Sequence, residues 1–113
     1  MLISGDVVDL DLGLPEGREA GFRHPAIVVT AQPILRRSPT VIQVVPLTST
    51  LRDLANEVAV AADPENGLDR TSAAQCQHIR AVSTSRVLGV RGNVGPKCLT
   101  QVREVLGLLL DVG

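Results

Sequence analysis

The chain has 113 residues, of which 44% are hydrophobic and 20% charged, and its formal net charge is −1. This composition excludes a disordered chain, and the length fits one domain that spans residues 1–113. The N-terminal stretch MLISGDVVDLDLG has no basic segment before an apolar core, and no apolar run approaches the roughly 18 residues of a membrane-spanning helix. We therefore expect a cytoplasmic protein that has no membrane segment.

Short strand-like runs occupy most of the chain. They are DVVDLDL, PAIVVT, TVIQVVPLT, NEVAVAA and a run within SAAQCQHIRAVS. PAIVVT is a continuous β-branched run, which is typical of a central strand covered on both faces. In TVIQVVPLT, Pro46 lies near the end of the run, where a missing N–H is tolerated. QPILRRSP is predicted to be a turn, and RVLGVRGNVG a bent strand or a turn.

The last stretch, PKCLTQVREVLGLLLDVG, predicts a helix with Pro96 in its first turn. Its apolar stripe comprises Leu99, Val102, Leu106, Leu109 and Leu110. Short strands closed by one amphipathic helix predict a mainly β (α+β) fold. The expected form is a small antiparallel barrel or half-barrel with a C-terminal helical cover.

Charge is arranged in blocks along the chain. Residues 1–22 carry −4 and residues 53–69 carry −5, whereas residues 23–52 carry +4 and residues 70–103 carry +6. Ten of the eleven cations are arginines, whose planar fork suits phosphate. Two interpretations stay open: acidic and basic blocks pair across the fold, or the two basic blocks meet on one face as a polyanion site.

Three polar clusters interrupt the apolar strands: FRHP, PLTST and QCQHIR. In the third, strand alternation predicts one face with Gln75, Gln77 and Ile79, and an opposite face with Cys76, His78 and Arg80. Hydroxyls after a strand are normally turn or cap residues, and a histidine in a strand is normally a hydrogen-bonded, half-buried side chain. The two cysteines lack metal-site spacing, so we expect reduced core thiols and no metal site.

Two histidines, several arginines and a hydroxyl cluster are nevertheless the groups that metal-free RNA cleavage requires. That reaction needs a base for the 2′-OH, an acid for the leaving 5′ oxygen and a cation beside the phosphorane. The only aromatic residue is Phe22, which argues against recognition of bases by stacking platforms. Phe22 is either a packing residue beneath its loop or the one stacking surface.

The order of these clusters resembles the MazF/PemK family of toxin endoribonucleases. The resemblance is carried by the opening Gly5-Asp6, by the loop around Gly17 and Glu19 that leads to a basic residue and Pro25-Ala26, and by Pro46-Leu47-Thr48-Ser49. It implies an SH3-like barrel, a homodimer and metal-independent cleavage of single-stranded RNA at short preferred sequences. The expected cleavage leaves a 2′,3′-cyclic phosphate and needs no cofactor. It also implies a cognate antitoxin whose acidic segment covers the active groove.

Residue by residue, the slot of the family's catalytic arginine holds His24, with Arg23 one step earlier. The family's threonine corresponds to Thr48, and the slot of a frequent glutamine holds His78, before Ile79-Arg80. We expect Arg23 or His24 to contact the scissile phosphate, with Arg23 favoured as charge stabiliser. Thr48 is expected to position the phosphate or the 2′-OH. His78 is expected to act as the general acid or base. The RNA-binding residues that we expect are Arg18, Ser49, Arg52, Gln77 and Arg80.

The family's loop motif Gly-Ser-Glu-Gln survives only as Gly17-Arg18-Glu19-Ala20, and the histidines replace other residues, which leaves the division of roles open. Two rival functions stand beside the ribonuclease. One is a CcdB-like toxin that binds DNA gyrase, and LLLDVG lacks the terminal aromatic which that family uses. The other is a non-enzymatic small barrel that serves as a binding module. The sequence does not decide whether messenger, ribosomal or transfer RNA is cut.

Overall fold

A computed structural model describes residues 1–12 and 23–113 of the protein. Its strands are β1 (Asp6–Asp11), β2 (Arg23–Val28), β3 (Val41–Thr48), β4 (Glu57–Val60), β5 (Ser72–Gln75), β6 (Arg80–Ser83) and β7 (Val87–Asn93). Its helices are α1 (Gln32–Leu35) and α2 (Gly95–Leu110), and two 3₁₀ turns span Cys76–His78 and Thr84–Arg86. The expected mainly β fold with one long C-terminal helix is confirmed.

The strands form one antiparallel sheet with the order β4-β5-β3-β2-β1-β7, and β6 also pairs with β3. Both faces of its centre are buried, because alternate residues of each strand enter opposite core clusters. In β2, Ala26 and Val28 pack on one side, whereas Ile27 and the following Val29 pack on the other. The β-branched run PAIVVT therefore forms the twice-covered central strand that its composition predicts.

Strand β3 changes its partner at Pro46. On one edge, β3 pairs first with β6, as far as Val44, and then with β5, from Leu47 onward. On the other edge, β3 pairs with β2, and the Val29 N–H donates to the Gln43 carbonyl at 3.0 Å. Hydrogen-bonded and non-hydrogen-bonded pairs alternate along an antiparallel ladder, so Pro46 and Ala26 form a non-hydrogen-bonded pair. The nitrogen of Pro46 therefore points to the edge where β6 ends and β5 begins, and no ladder hydrogen bond is lost there.

The single strand expected within SAAQCQHIRAVS is wrong, because the 3₁₀ turn at residues 76–78 divides it into β5 and β6. The expected alternation fails with it. Cys76 and Ile79 both pack against the core, while His78 and Arg80 are exposed. Residues three apart lie on the same side of a 3₁₀ turn, which explains why Cys76 and Ile79 share a face.

Helix α2 covers the core cluster that contains Ile27, and its buried residues are Leu99, Val102 and Leu106. The last turn departs from the predicted stripe, since Leu109 is 42% exposed and Leu110 is 55% exposed. None of the helices within residues 1–12 and 23–113 is long and apolar enough to span a membrane.

Two further segments refine the sequence predictions. The predicted turn QPILRRSP contains the one-turn helix α1, which begins at a proline-compatible position and places Leu35 in the core. Strand β7 is bent, because its register against β1 shifts between Val7 and Val8 and again between Asp9 and Leu10.

The Gly5-Asp6 pair closes a corner between β1 and β7. Gly5 has φ +91° and donates its N–H to the Val28 carbonyl at 2.7 Å, and an added Cβ would lie 2.9 Å from Asn93 Oδ1. Asn93 donates to the Asp6 carboxylate at 3.1 Å and accepts from the Gly95 N–H at 2.8 Å. The corner therefore joins the first strand to the start of α2.

Two glycines of β7, Gly92 and Gly89, differ in how closely other backbone atoms approach them. An added Cβ at Gly92 would lie 2.1 Å from the Glu65 carbonyl oxygen, whereas a Cβ at Gly89 would meet no atom within 4 Å. We expect Gly92→Ala to lower the free energy of unfolding by about 1–3 kcal/mol, because the 61–67 loop has to shift. Gly89→Ala, in the same strand, is the matched control and should leave stability unchanged or slightly raised. Urea unfolding measures both variants, and equal losses would contradict this packing.

Candidate active site

The structure brings three of the predicted catalytic residues to one hollow. This threonine hollow has a volume of about 300 Å³ and is lined by Arg23 and His24 at the start of β2 and by Thr48 at the end of β3. Ser49 also lines it. The antiparallel pairing of β2 with β3 places the beginning of one strand beside the end of the other, which is why residues so far apart in sequence meet.

A second hollow lies on the other side of His24. This histidine hollow has a volume of about 340 Å³ and contains His24, Gln75, His78 and Arg80. The 3₁₀ turn between β5 and β6 presents His78 on its exposed side, and Arg80 follows as the first residue of β6. His24 lines both hollows: it adjoins Arg23 and Thr48 in the first, and His78 and Arg80 in the second.

His24 is held so that its ring stays neutral more readily than a free histidine. The side chain is half-buried, and burial lowers its pKa below the ordinary 6.5. A hydrogen bond with the Leu47 backbone acts in the opposite direction, and the positive charge of Arg80 lowers the pKa further. A neutral imidazole that donates one N–H to a carbonyl keeps its second nitrogen as an acceptor.

The Thr48 hydroxyl stabilises the turn after β3, and the same residue lines the threonine hollow. Its Oγ1 accepts a hydrogen bond from the Thr50 N–H at 3.1 Å, which closes a short turn after β3. The hydroxyl hydrogen is still able to donate into the threonine hollow. Thr48 is half-buried and Ser49 is exposed, so the turn fixes Thr48 and leaves Ser49 accessible.

Two arginines that were not singled out from the sequence also line the threonine hollow: Arg70 and Arg91. Arg91 Nε lies 3.0 Å from Asp9 Oδ1, and its Nη1 lies 3.9 Å from Asp69. Their only signal in the sequence is the basic block of residues 70–103. The residue pattern within one β-strand does not show which strand pairs with it, so the pairing of β7 with β1 could not be predicted.

Both interpretations of the charge blocks hold in part. Acidic and basic blocks pair at Arg52 with Glu57, and at Arg91 with Asp9. Within residues 1–12 and 23–113, the arginines at positions 23, 70 and 80 form no ion pair, and each lines one of the hollows. Arg23 of the first basic block and Arg70 of the second both line the threonine hollow, which suits a polyanion.

Two predicted RNA-binding residues lie elsewhere. Arg52 and Gln77 line neither hollow, and both donate to Glu57 Oε2 at 2.7 Å. Arg18 and Phe22 lie outside the described residues, as do the family loop positions 17–20.

Cys76 and Cys98 line neither of the two hollows. Cys76 and Cys98 are both free thiols, and burial raises the pKa of Cys76 to about 11. Across residues 1–12 and 23–113, no group of three or more His, Cys, Asp or Glu side chains is arranged to hold a metal ion.

Comparison with known proteins places this geometry in a family. Residues 3–110 match the family described as "PemK-like, MazF-like toxin of type II toxin-antitoxin system". A relative from Mycobacterium tuberculosis, Endoribonuclease MazF9, is 32% identical over 116 residues, which cover 99% of this chain and 98% of the relative.

Solved structures share the fold. An endoribonuclease in complex with its cognate antitoxin, from a mycobacterial species, superposes with a TM-score of 0.78 at 19% identity and covers 100% of this chain and 98% of its own. MazF from Deinococcus radiodurans superposes with a TM-score of 0.74 at 26% identity and covers 96% of both chains.

The half-buried position of His24 predicts a pH dependence of stability. Below about pH 6.5, His24 binds a proton in the unfolded chain more readily than in the folded protein. The free energy of unfolding should therefore fall as the pH drops through this range. His24→Gln should flatten that dependence between pH 7.5 and pH 5.5, whereas His78→Gln, the exposed histidine, should retain it. Urea unfolding at three pH values measures the slopes, and identical slopes for both variants would contradict the assignment.

Proposed function

The chain belongs to the PemK-like and MazF-like toxin endoribonucleases of type II toxin–antitoxin systems, and from this premise we propose that it cuts RNA at the paired hollows around His24. The observation that carries the proposal is the position of His24, which lines the hollow of Thr48 and the hollow of His78. A scissile phosphate at His24 lies within the surface that both sets of side chains form.

In this proposal, neutral His24 is the base that takes the proton from the 2′-OH. The burial that lowers its pKa keeps the ring unprotonated near neutral pH, and Leu47 orients it through the backbone hydrogen bond. The deprotonated 2′ oxygen attacks the phosphorus, and the bond from phosphorus to the 5′ oxygen breaks. The products are a 2′,3′-cyclic phosphate and a 5′-hydroxyl.

The remaining roles follow from the two hollows. Arg23 stabilises the charge on the phosphorane, and Thr48 donates a hydrogen bond that positions the phosphate. His78 protonates the leaving 5′ oxygen, because it lies in the same hollow as His24. Arg80 and Ser49 bind the neighbouring backbone, and no metal ion takes part.

The family match and the endoribonuclease relative favour RNA cleavage over a gyrase-binding toxin and over a non-enzymatic barrel. We also propose a single toxin domain, which acts as a homodimer in the cytoplasm, where its RNA substrate lies. A cognate antitoxin with an acidic segment would neutralise it by covering the exposed arginines of the hollows. The antitoxin complex of a similar mycobacterial endoribonuclease supports this partner.

Single substitutions test the assignment. We expect His24→Ala and His78→Ala each to reduce the rate of RNA cleavage by about 10²- to 10⁴-fold, the usual contribution of a positioned acid or base. The substrate is total RNA in EDTA, and mapping of new 5′-hydroxyl ends measures cleavage. Thr48→Ala should also reduce the rate. Arg37→Ala, an exposed arginine after α1, is the control and should cleave normally.

The same experiment has two contradicting outcomes. Full activity of both histidine variants would remove the assignment of base and acid. Loss of activity of the unsubstituted protein on addition of EDTA would instead discard the metal-free mechanism.

A further inference from the structure

A third cavity lies beside the threonine hollow. This leucine slot has a volume of about 270 Å³ and is lined by Leu51, Arg52, Leu54, Glu57 and Ala73, with contributions from Asp53 and Ala59. Ala73 is the register partner of Thr48 across β3 and β5, so the slot begins within one strand spacing of the threonine hollow.

The polar end of the slot is a carboxylate with an unused oxygen. The Glu57 side chain is only 2% exposed, and its Oε2 accepts from Arg52 at 2.7 Å, from Gln77 at 2.7 Å and from Gln75 at 3.4 Å. Its Oε1 is buried and accepts no hydrogen bond from the described residues. Gln77 Oε1 and Asn56 Oδ1 are likewise buried without a donor.

Buried acceptors without a donor are costly and uncommon in folded proteins. The Gln77 hydrogen bond, with those from Arg52 and Gln75, lowers the pKa of Glu57, so the carboxylate is ionised and its free oxygen remains an acceptor. Glu57 therefore keeps one acceptor without a donor, and a ligand N–H group reaches this buried oxygen only after it is uncovered.

The walls of the slot indicate what carries that N–H group. Leu51 is 56% exposed and Leu54 is 43% exposed, so two apolar side chains face solvent beside the carboxylate. The slot is smaller than the roughly 300–1,000 Å³ of pockets that bind drug-sized ligands, which suits one planar ring. The Arg52 side chain, which donates to Glu57 Oε2, is 46% exposed and therefore has room to move.

We propose that the leucine slot binds one base of the RNA substrate and that Glu57 Oε1 accepts a hydrogen bond from the base's exocyclic amino group. The base lies between Leu51 and Leu54, and the exposed Arg52 side chain moves aside to admit it. The slot then selects adenine, cytosine or guanine over uracil at one position near the cut. This inference rests on the proposed RNA cleavage.

An RNA base suits the slot better than a peptide side chain does. Bases present their exocyclic amino groups on a flat, rigid edge, so such a group can reach the free oxygen of Glu57 once Arg52 has moved aside. The slot also adjoins Thr48, so a base next to the scissile phosphate reaches it without leaving the site.

The substitution Glu57→Gln tests the proposal with little change in shape. The amide oxygen can still accept from the three existing donors, whereas the free oxygen becomes an NH₂ group that repels an amino group. Cleavage of a randomised RNA pool by the unsubstituted protein should show an amino-bearing base at one position. E57Q should lower that preference by about ten- to a hundredfold, the effect of losing one charge-assisted hydrogen bond, and shift it toward uracil.

A matched control and a second variant complete the experiment. Glu104→Gln, on the exposed side of α2, should leave the preference unchanged. Leu54→Ala removes an exposed wall, so it should relax the same position even if E57Q fails to fold, as judged by circular dichroism.

The outcomes separate this inference from the proposed function. No cleavage by the unsubstituted protein would refute the proposed function. Cleavage that prefers uracil or no base at every position, or an unchanged preference in folded E57Q, would overturn the base slot alone. The same holds if E57Q weakens only the binding of an antitoxin, since the slot would then belong to a protein partner. If E57Q does not fold, an unchanged preference in L54A overturns it.

Discussion

The missing N–H of Pro46 is the constraint on which the rest of the site depends. Pro46 has no N–H to donate on the edge that faces β5 and β6, and β3 pairs with β6 before it and with β5 after it. The chain bridges these two partners with the 3₁₀ turn at residues 76–78, which turns Cys76 into the core and His78 outward. Two residues beyond Pro46, β3 ends at Thr48. The proline therefore lies between the two polar clusters, and Pro46 itself lines the histidine hollow.

The sequence predicts the parts of the fold that depend on local chemistry. PAIVVT becomes the covered central strand, and Pro96 with Leu99, Val102 and Leu106 becomes the C-terminal helix. The division of the strand around Cys76 is not predicted. In a strand, residues two apart share a face, whereas in a 3₁₀ turn residues three apart do, and this short stretch does not distinguish the two patterns. The exposure of Leu109 and Leu110 is not predicted, because the apolar pattern of α2 continues to the end of the helix whereas the core that it covers ends earlier.

The site is predictable to the extent that its residues lie at strand ends. Arg23, His24 and Thr48 flank apolar runs, and antiparallel pairing brings such ends together. Arg70 and Arg91 are not predictable in this way, because their place depends on how a loop and β7 fold back on β1. Glu57 is visible in the sequence only as one acid in an acidic block. Its unpaired oxygen can be recognised only in the folded structure, since the donors to the other oxygen come from two separate segments, one with Arg52 and one with Gln75 and Gln77.

The pairing of β1 with β7 also bears on when the fold is completed during synthesis of the chain. The first strand to be made completes its pairing only with the last, and Asp6 receives its hydrogen bond from Asn93. Contacts between such distant segments form late, and the ribosome delivers the chain from its N-terminus. Arg91 therefore joins the hollow only after nearly all of the protein has been translated. A truncated or stalled product that ends before β7 lacks Arg91 and leaves one edge of β1 unpaired.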